Sequence, residues 1–142
     1  MNITNITTDR RAILSLAWVF YIFNILYADV LSLMEGMVSQ TTEELVPDAV
    51  VMLLTPEMLL GAAILLETAM VMIFASRLLN YRANRWSNIS VAVLHTASVG
   101  GSLFVAPPAI YYLFFATIEI ITSLFIIWYA WTWTDTQENN LV

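Results

Sequence analysis

Four stretches of predominantly apolar residues, separated by charge or proline, run through the sequence. An α-helix rises about 1.5 Å per residue, so about 20 such residues cross a hydrocarbon layer roughly 30 Å thick. The first stretch covers about 12–34 and follows Asp9-Arg10-Arg11. The second covers about 55–76 and opens on Thr55-Pro56-Glu57. That triplet starts a helix well: threonine caps, proline needs no N–H, and glutamate meets the positive end of the dipole. The third covers about 86–106, where Pro107-Pro108 stops it and opens the fourth, about 108–134. The expectation is one all-α transmembrane domain over 1–142, an integral membrane four-helix bundle.

A signal peptide competes for the first stretch. Its arginines resemble a charged n-region, and Arg10-Arg11-Ala12-Ile13-Leu14 resembles a twin-arginine signal. The apolar run of about 23 residues exceeds an h-region, however, and no small-x-small cleavage site follows, so a retained span is expected.

Composition agrees. The chain is 60% hydrophobic and 11% charged, with a mean hydropathy of +0.77. Soluble domains carry about 25% charged residues, so a soluble fold of this kind could not cover its surface. Cysteine is absent, which excludes disulfides, thiolate metal sites and thiol redox chemistry. Lysine is absent too, and an acidic chain of net charge −6 has no basic stripe for nucleic acid.

The charges are segregated. Arg10, Arg11, Arg77, Arg82 and Arg85 lie before the first span or between the second and third. The connection after the first span instead carries Glu35, Glu43, Glu44 and Asp48. The positive-inside bias therefore predicts that both termini and the 77–85 loop are cytoplasmic. Trp86, Trp128, Tyr129, Trp131 and Trp133 would then form an aromatic belt at the inner interface. In the outer connection, 48–54 is apolar but too short to span, and a short interfacial helix is expected there. The Asn-x-Ser/Thr matches at Asn2, Asn5 and Asn88 fall at the cytoplasmic side or membrane edge and carry little weight.

Three ionisable residues fall where lipid should forbid them. Glu67 comes 12 residues after Thr55, Glu119 comes 11 after Pro108, and His95 comes 9 after Trp86, so all three lie near mid-membrane. Helical spacing places Asn88, His95, Ser98 and Ser102 on one face of the third span, and Tyr112, Glu119 and Ser123 on one face of the fourth, with Thr122 beside them. The first span adds Asn24, with Tyr21 and Tyr27 a turn either side; the flanks of Glu67 (Leu60, Ile64, Met70, Val71) are apolar. A charged group at the bilayer centre costs about 2.5–3.5 kcal/mol. Glu67, His95 and Glu119 are therefore expected to face one another, with Asn24, Ser98 and Tyr112 in support, around a small ligand, cation or proton. Structural hydrogen bonding between helices competes with that reading, at about 0.6 kcal/mol per contact.

Asp29 and Glu57 could form an acidic entrance at the outer edge, although interfacial solvation also explains them. Arg77, Arg82 and Arg85 could hold anionic lipid headgroups, although topology alone accounts for them equally. One histidine and two carboxylates are a poor metal set, so no metal is expected. No phosphate loop, catalytic triad or cofactor motif is present; an intramembrane enzyme stays open as a third reading and would need a bound cofactor.

Several segments carry a family resemblance: Tyr27-Ala28-Asp29-Val30-Leu31-Ser32-Leu33-Met34, Leu66-Glu67, Ser76-Arg77, Tyr81-Arg82-Ala83-Asn84-Arg85-Trp86 and Leu94-His95-Thr96. With these the chain resembles a family of small four-span prokaryotic membrane proteins of unknown function, over nearly its whole length. It is more distantly similar to the DoxX-like four-helix membrane proteins. The resemblance implies a membrane bundle in the prokaryotic inner (plasma) membrane and supplies no activity. The leading expectation is a ligand-, cation- or proton-binding bundle, with transport and homo-oligomerisation open. The alternative is an accessory or scaffold subunit packed against a partner membrane protein.

Overall fold

The computed structural model describes residues 9–41, 55–104 and 108–134. Four helices make up nearly all of them: α1 (Arg10–Thr41), α2 (Pro56–Leu78), α3 (Tyr81–Ser102) and α4 (Ile110–Trp131). The predicted interfacial helix near 48–54 lies outside the described residues, as do Asn2, Asn5 and Pro107.

Local chemistry sets the helix ends. The Thr55 hydroxyl accepts the Met58 N–H, with Pro56 at the first turn of α2 and Glu57 beside it. Asn80 caps α3 by accepting the Ala83 N–H at 3.0 Å. This cap corrects the sequence expectation of a 77–85 loop. Only Leu79 and Asn80 separate the helices, so Arg77 ends α2, and Arg82 and Arg85 lie in α3. No proline interrupts α1 after residue 34, and it continues to Thr41.

The helices close a ring: α1 packs on α2, α2 on α3, α3 on α4 and α4 on α1. The α3–α4 and α1–α2 pairs are the most extensive, and α2–α3 is the thinnest. Large apolar side chains point outward on every helix, among them Phe20, Phe23, Phe74, Leu78, Phe114 and Ile121. Ser76, Asn84, Asn88, His95, Glu119 and Ser123 point inward. An exterior more apolar than the interior suits a lipid solvent.

Three helices, α1, α2 and α4, are long and apolar enough to cross a membrane. The 22 residues of α3 have the length but not the apolarity, because Asn84, Asn88 and His95 occupy its buried face. Its neighbours shield that face.

The two ends of the bundle are tied differently. At the end bearing the arginines, Arg10 donates to the Tyr129 carbonyl at 3.0 Å and lies over the Tyr129 ring at 4.7 Å. Arg77 pairs with Asp9 at 3.4 Å, and the Tyr81 hydroxyl donates to the Trp133 carbonyl at 2.7 Å. Trp86, Trp128 and Trp131 are exposed in this layer, as a belt requires; Trp133 instead packs inward against Tyr81. At the opposite end the Tyr111 hydroxyl donates to Glu35 at 2.6 Å and lies 3.2 Å from the Ser32 hydroxyl, joining α4 to α1. Tyr111→Phe should lower stability by no more than about 1 kcal/mol, since the strut is exposed. Denaturant titration of the reconstituted protein measures this.

Candidate functional site

Two polar layers stack on the bundle axis. The lower one, nearer the arginine end, centres on Asn88. Its side-chain oxygen accepts from the Trp18 indole N–H at 2.7 Å and from the Ser76 hydroxyl at 3.2 Å. Its amide donates to the carbonyl and side-chain oxygens of Asn84 at 2.9 and 2.6 Å, and Asn84 donates to the Ser76 carbonyl at 2.6 Å. Helices α1, α2 and α3 meet in this one network, and all four side chains are buried.

Three rings seal the space above it. Trp18, Tyr21 and His95 meet edge to face, with centroids 5.6 Å (Trp18–Tyr21), 5.7 Å (Trp18–His95) and 5.2 Å (Tyr21–His95) apart. His95 Nε2 lies 3.1 Å from the Thr68 hydroxyl, which donates to the Leu65 carbonyl.

Glu119 occupies the upper layer, 6% exposed, on the buried face of α4 with Ala116, Thr122 and Ser123. Its carboxylate makes no hydrogen bond among the described residues. Tyr21, within electrostatic reach of Glu119 and Tyr112, is fully buried, and its hydroxyl has no hydrogen-bond partner among the described residues. An orphaned buried hydroxyl costs about 1–3 kcal/mol, so the unsatisfied Tyr21 donor invites a partner. Asp29, exposed on α1, is also within electrostatic reach of Glu119.

His95, Glu119 and Asn24 are each buried inside the bundle, whereas Glu67 is not. The expected convergence of all three ionisable groups is corrected: Glu67 lies exposed on the outer surface of α2. The apolar flanks of Glu67 explain the placement, because in lipid an apolar helix face is the outward one. Asn24 is buried and donates to the Phe20 carbonyl of its own helix at 2.9 Å. Ser98 is half-buried and likewise bonds its own helix, at Leu94. Tyr112 lies higher, 2.8 Å from the Ser102 hydroxyl.

Glu57 is exposed in the first turn of α2. Arg82 is exposed, whereas Arg85 lies 5.4 Å over the Trp131 ring and donates to the Tyr81 hydroxyl at 3.4 Å, its buried Nε having no partner among the described residues. Trp18, Thr68, Ser76 and Asn84 complete the interior and are not among the site residues expected from the sequence. Spacing would have found Asn84, which stands one helical turn before Asn88. Among the described residues no group of three or more histidine or acidic residues could hold a metal ion.

Comparison with known families bears on the whole chain: the pattern of a family of unknown function, DUF6326, matches residues 1–140. The chain belongs to the DUF6326 family. No curated protein and no solved structure matches it. For this DUF6326 member, chemistry must therefore be read from its own side chains.

Proposed function

We propose that this protein is a membrane-embedded bundle that binds a proton or a small cation at Glu119, reached from the end that carries Glu35 and Asp29. The reading rests on the Glu119 carboxylate, carried by a buried residue and without a hydrogen-bond partner among the described residues, and on the orphaned Tyr21 hydroxyl within its electrostatic reach. An intramembrane carboxylate that no neighbour satisfies is a functional-site hypothesis by default. A proton needs no cavity; a small cation would find a carboxylate and a phenolic oxygen. The Trp18–Tyr21–His95 rings and the Asn88 network occupy the axis on the arginine side of Glu119, which favours access from the opposite side. By the positive-inside bias that side is the outer one, with both termini cytoplasmic.

Current transients from the reconstituted protein on a solid-supported membrane test this. A jump in pH or in monovalent cation concentration, across about pH 5–8, should give a transient with the parent. Glu119→Gln should abolish it, and Tyr21→Phe should reduce it. Transients from Glu119→Gln equal to the parent's would overturn the proposal.

A further inference from the structure

The thinnest seam of the bundle, between α2 and α3, opens outward as a groove of about 780 Å³. Glu67, Thr68 and Ala75 line one wall, and Ser87, Ser90 and Val91 the other. Hydroxyls in these helices generally bond a carbonyl of their own preceding turn, as Thr96, Ser98, Thr117, Thr122 and Ser123 do. Ser87 and Ser90 depart from that habit. Neither they nor the Glu67 carboxylate make a hydrogen bond among the described residues. The groove therefore faces lipid with an acceptor on one wall and two donors on the other, all unsatisfied.

Depth decides what fits. Measured from the arginine end, Glu67 stands 11 residues above Leu78 and Ser90 stands 9 above Tyr81, or about 17 and 14 Å. The five arginines lie outside this layer, at the termini of the helices. Hydroxyls are the donors this chain can offer Glu67 at its own level. A two-fold axis along the membrane normal keeps every depth equal and makes contacts reciprocal. One chain's Glu67 then meets the other's Ser90, and the reverse.

We propose that the α2–α3 groove is the self-association surface of this protein, in which α2 of one copy seats in the groove of a second and Glu67 accepts from Ser90 across a two-fold. The small side chains Thr68, Ala75, Ser87 and Ser90 let the helices approach closely, which drives association where lipid supplies no hydrophobic force. The outward ridge of Ile64, Glu67, Val71 and Leu78 is what enters. This surface is separate from Glu119, and either proposal can fail alone.

Because the native chain has no cysteine, single cysteines report contacts cleanly. Ile64→Cys and Val71→Cys should form disulfide dimers under oxidation in dilute proteoliposomes, whereas Phe114→Cys on the outer face of α4 should not. Donor–acceptor energy transfer between labelled copies gives the affinity. Glu67→Leu and Ser90→Ala should each weaken dimers roughly tenfold, two symmetric contacts being lost at about threefold each. The double variant should be no weaker than either single one. Leucine at 67 relieves the cost of a charge in lipid, so a folding defect would not mimic the loss. Equal cross-linking at position 114, dimers unchanged by Glu67→Leu, or a monomer whose groove retains a lipid through purification would each overturn the proposal.

Discussion

Replacing Trp18 by alanine should lower the unfolding free energy by about 4 kcal/mol, a large share of the stability of a bundle this size. Trp18 is fully buried, contacts both the Tyr21 and His95 rings, and donates to Asn88. Alanine removes the ring contacts and the donor together and leaves a void in the layer that seals the axis. Phenylalanine separates the two losses: it keeps most of the packing and should cost about 1–2 kcal/mol, chiefly for the unmade bond to Asn88. Unfolding in mixed micelles, followed by circular dichroism, reads both. Equal losses for the two variants would show that packing contributes nothing.

The second large effect falls on Asn88. Leucine there keeps the branched shape at a larger volume but supplies neither acceptor nor donor, so the Trp18 indole, the Ser76 hydroxyl and the Asn84 side-chain oxygen all lose a partner. Ser76 can turn to its own helix; the other two are held by packing. A cost of about 2–3 kcal/mol is expected, above the average for single polar contacts in membranes because one side chain serves three helices. Combining Asn88→Leu with Trp18→Phe should cost less than the sum, since both remove the same 2.7 Å bond. Strict additivity would mean the bond carries no energy.

How far the sequence could be read follows from what each pattern encodes. Span length and proline placement report on the solvent, and these made the bundle legible. The depths of Glu67, His95 and Glu119 were legible for the same reason. The facing direction was not, because depth is a coordinate along the helix and direction is one around it. His95 and Glu119 share their faces with Asn88 and Ser123 and turn inward; Glu67 shares its face with Leu60, Ile64 and Val71 and turns outward. The flanking residues carried that information once an apolar face is taken as the lipid-facing one. Asn84 was hidden by a different assumption, that arginines between spans mark a loop. The Asn80 cap lets the helix begin before them. The role of Trp18 could not be read at all, since an indole at a membrane edge is as often an interfacial anchor as a core ring.

The 32 residues of α1 give it a length near 48 Å, against a hydrocarbon thickness of about 30 Å. Even tilted by about 40°, the limit of common practice, it would stand roughly 37 Å tall. Its last turns must therefore rise among the headgroups, braced to α4 by the Glu35–Tyr111 strut. Such an overhang makes the chain a gauge of bilayer thickness: a thicker leaflet would drown the strut in hydrocarbon, and a thinner one would leave it wet.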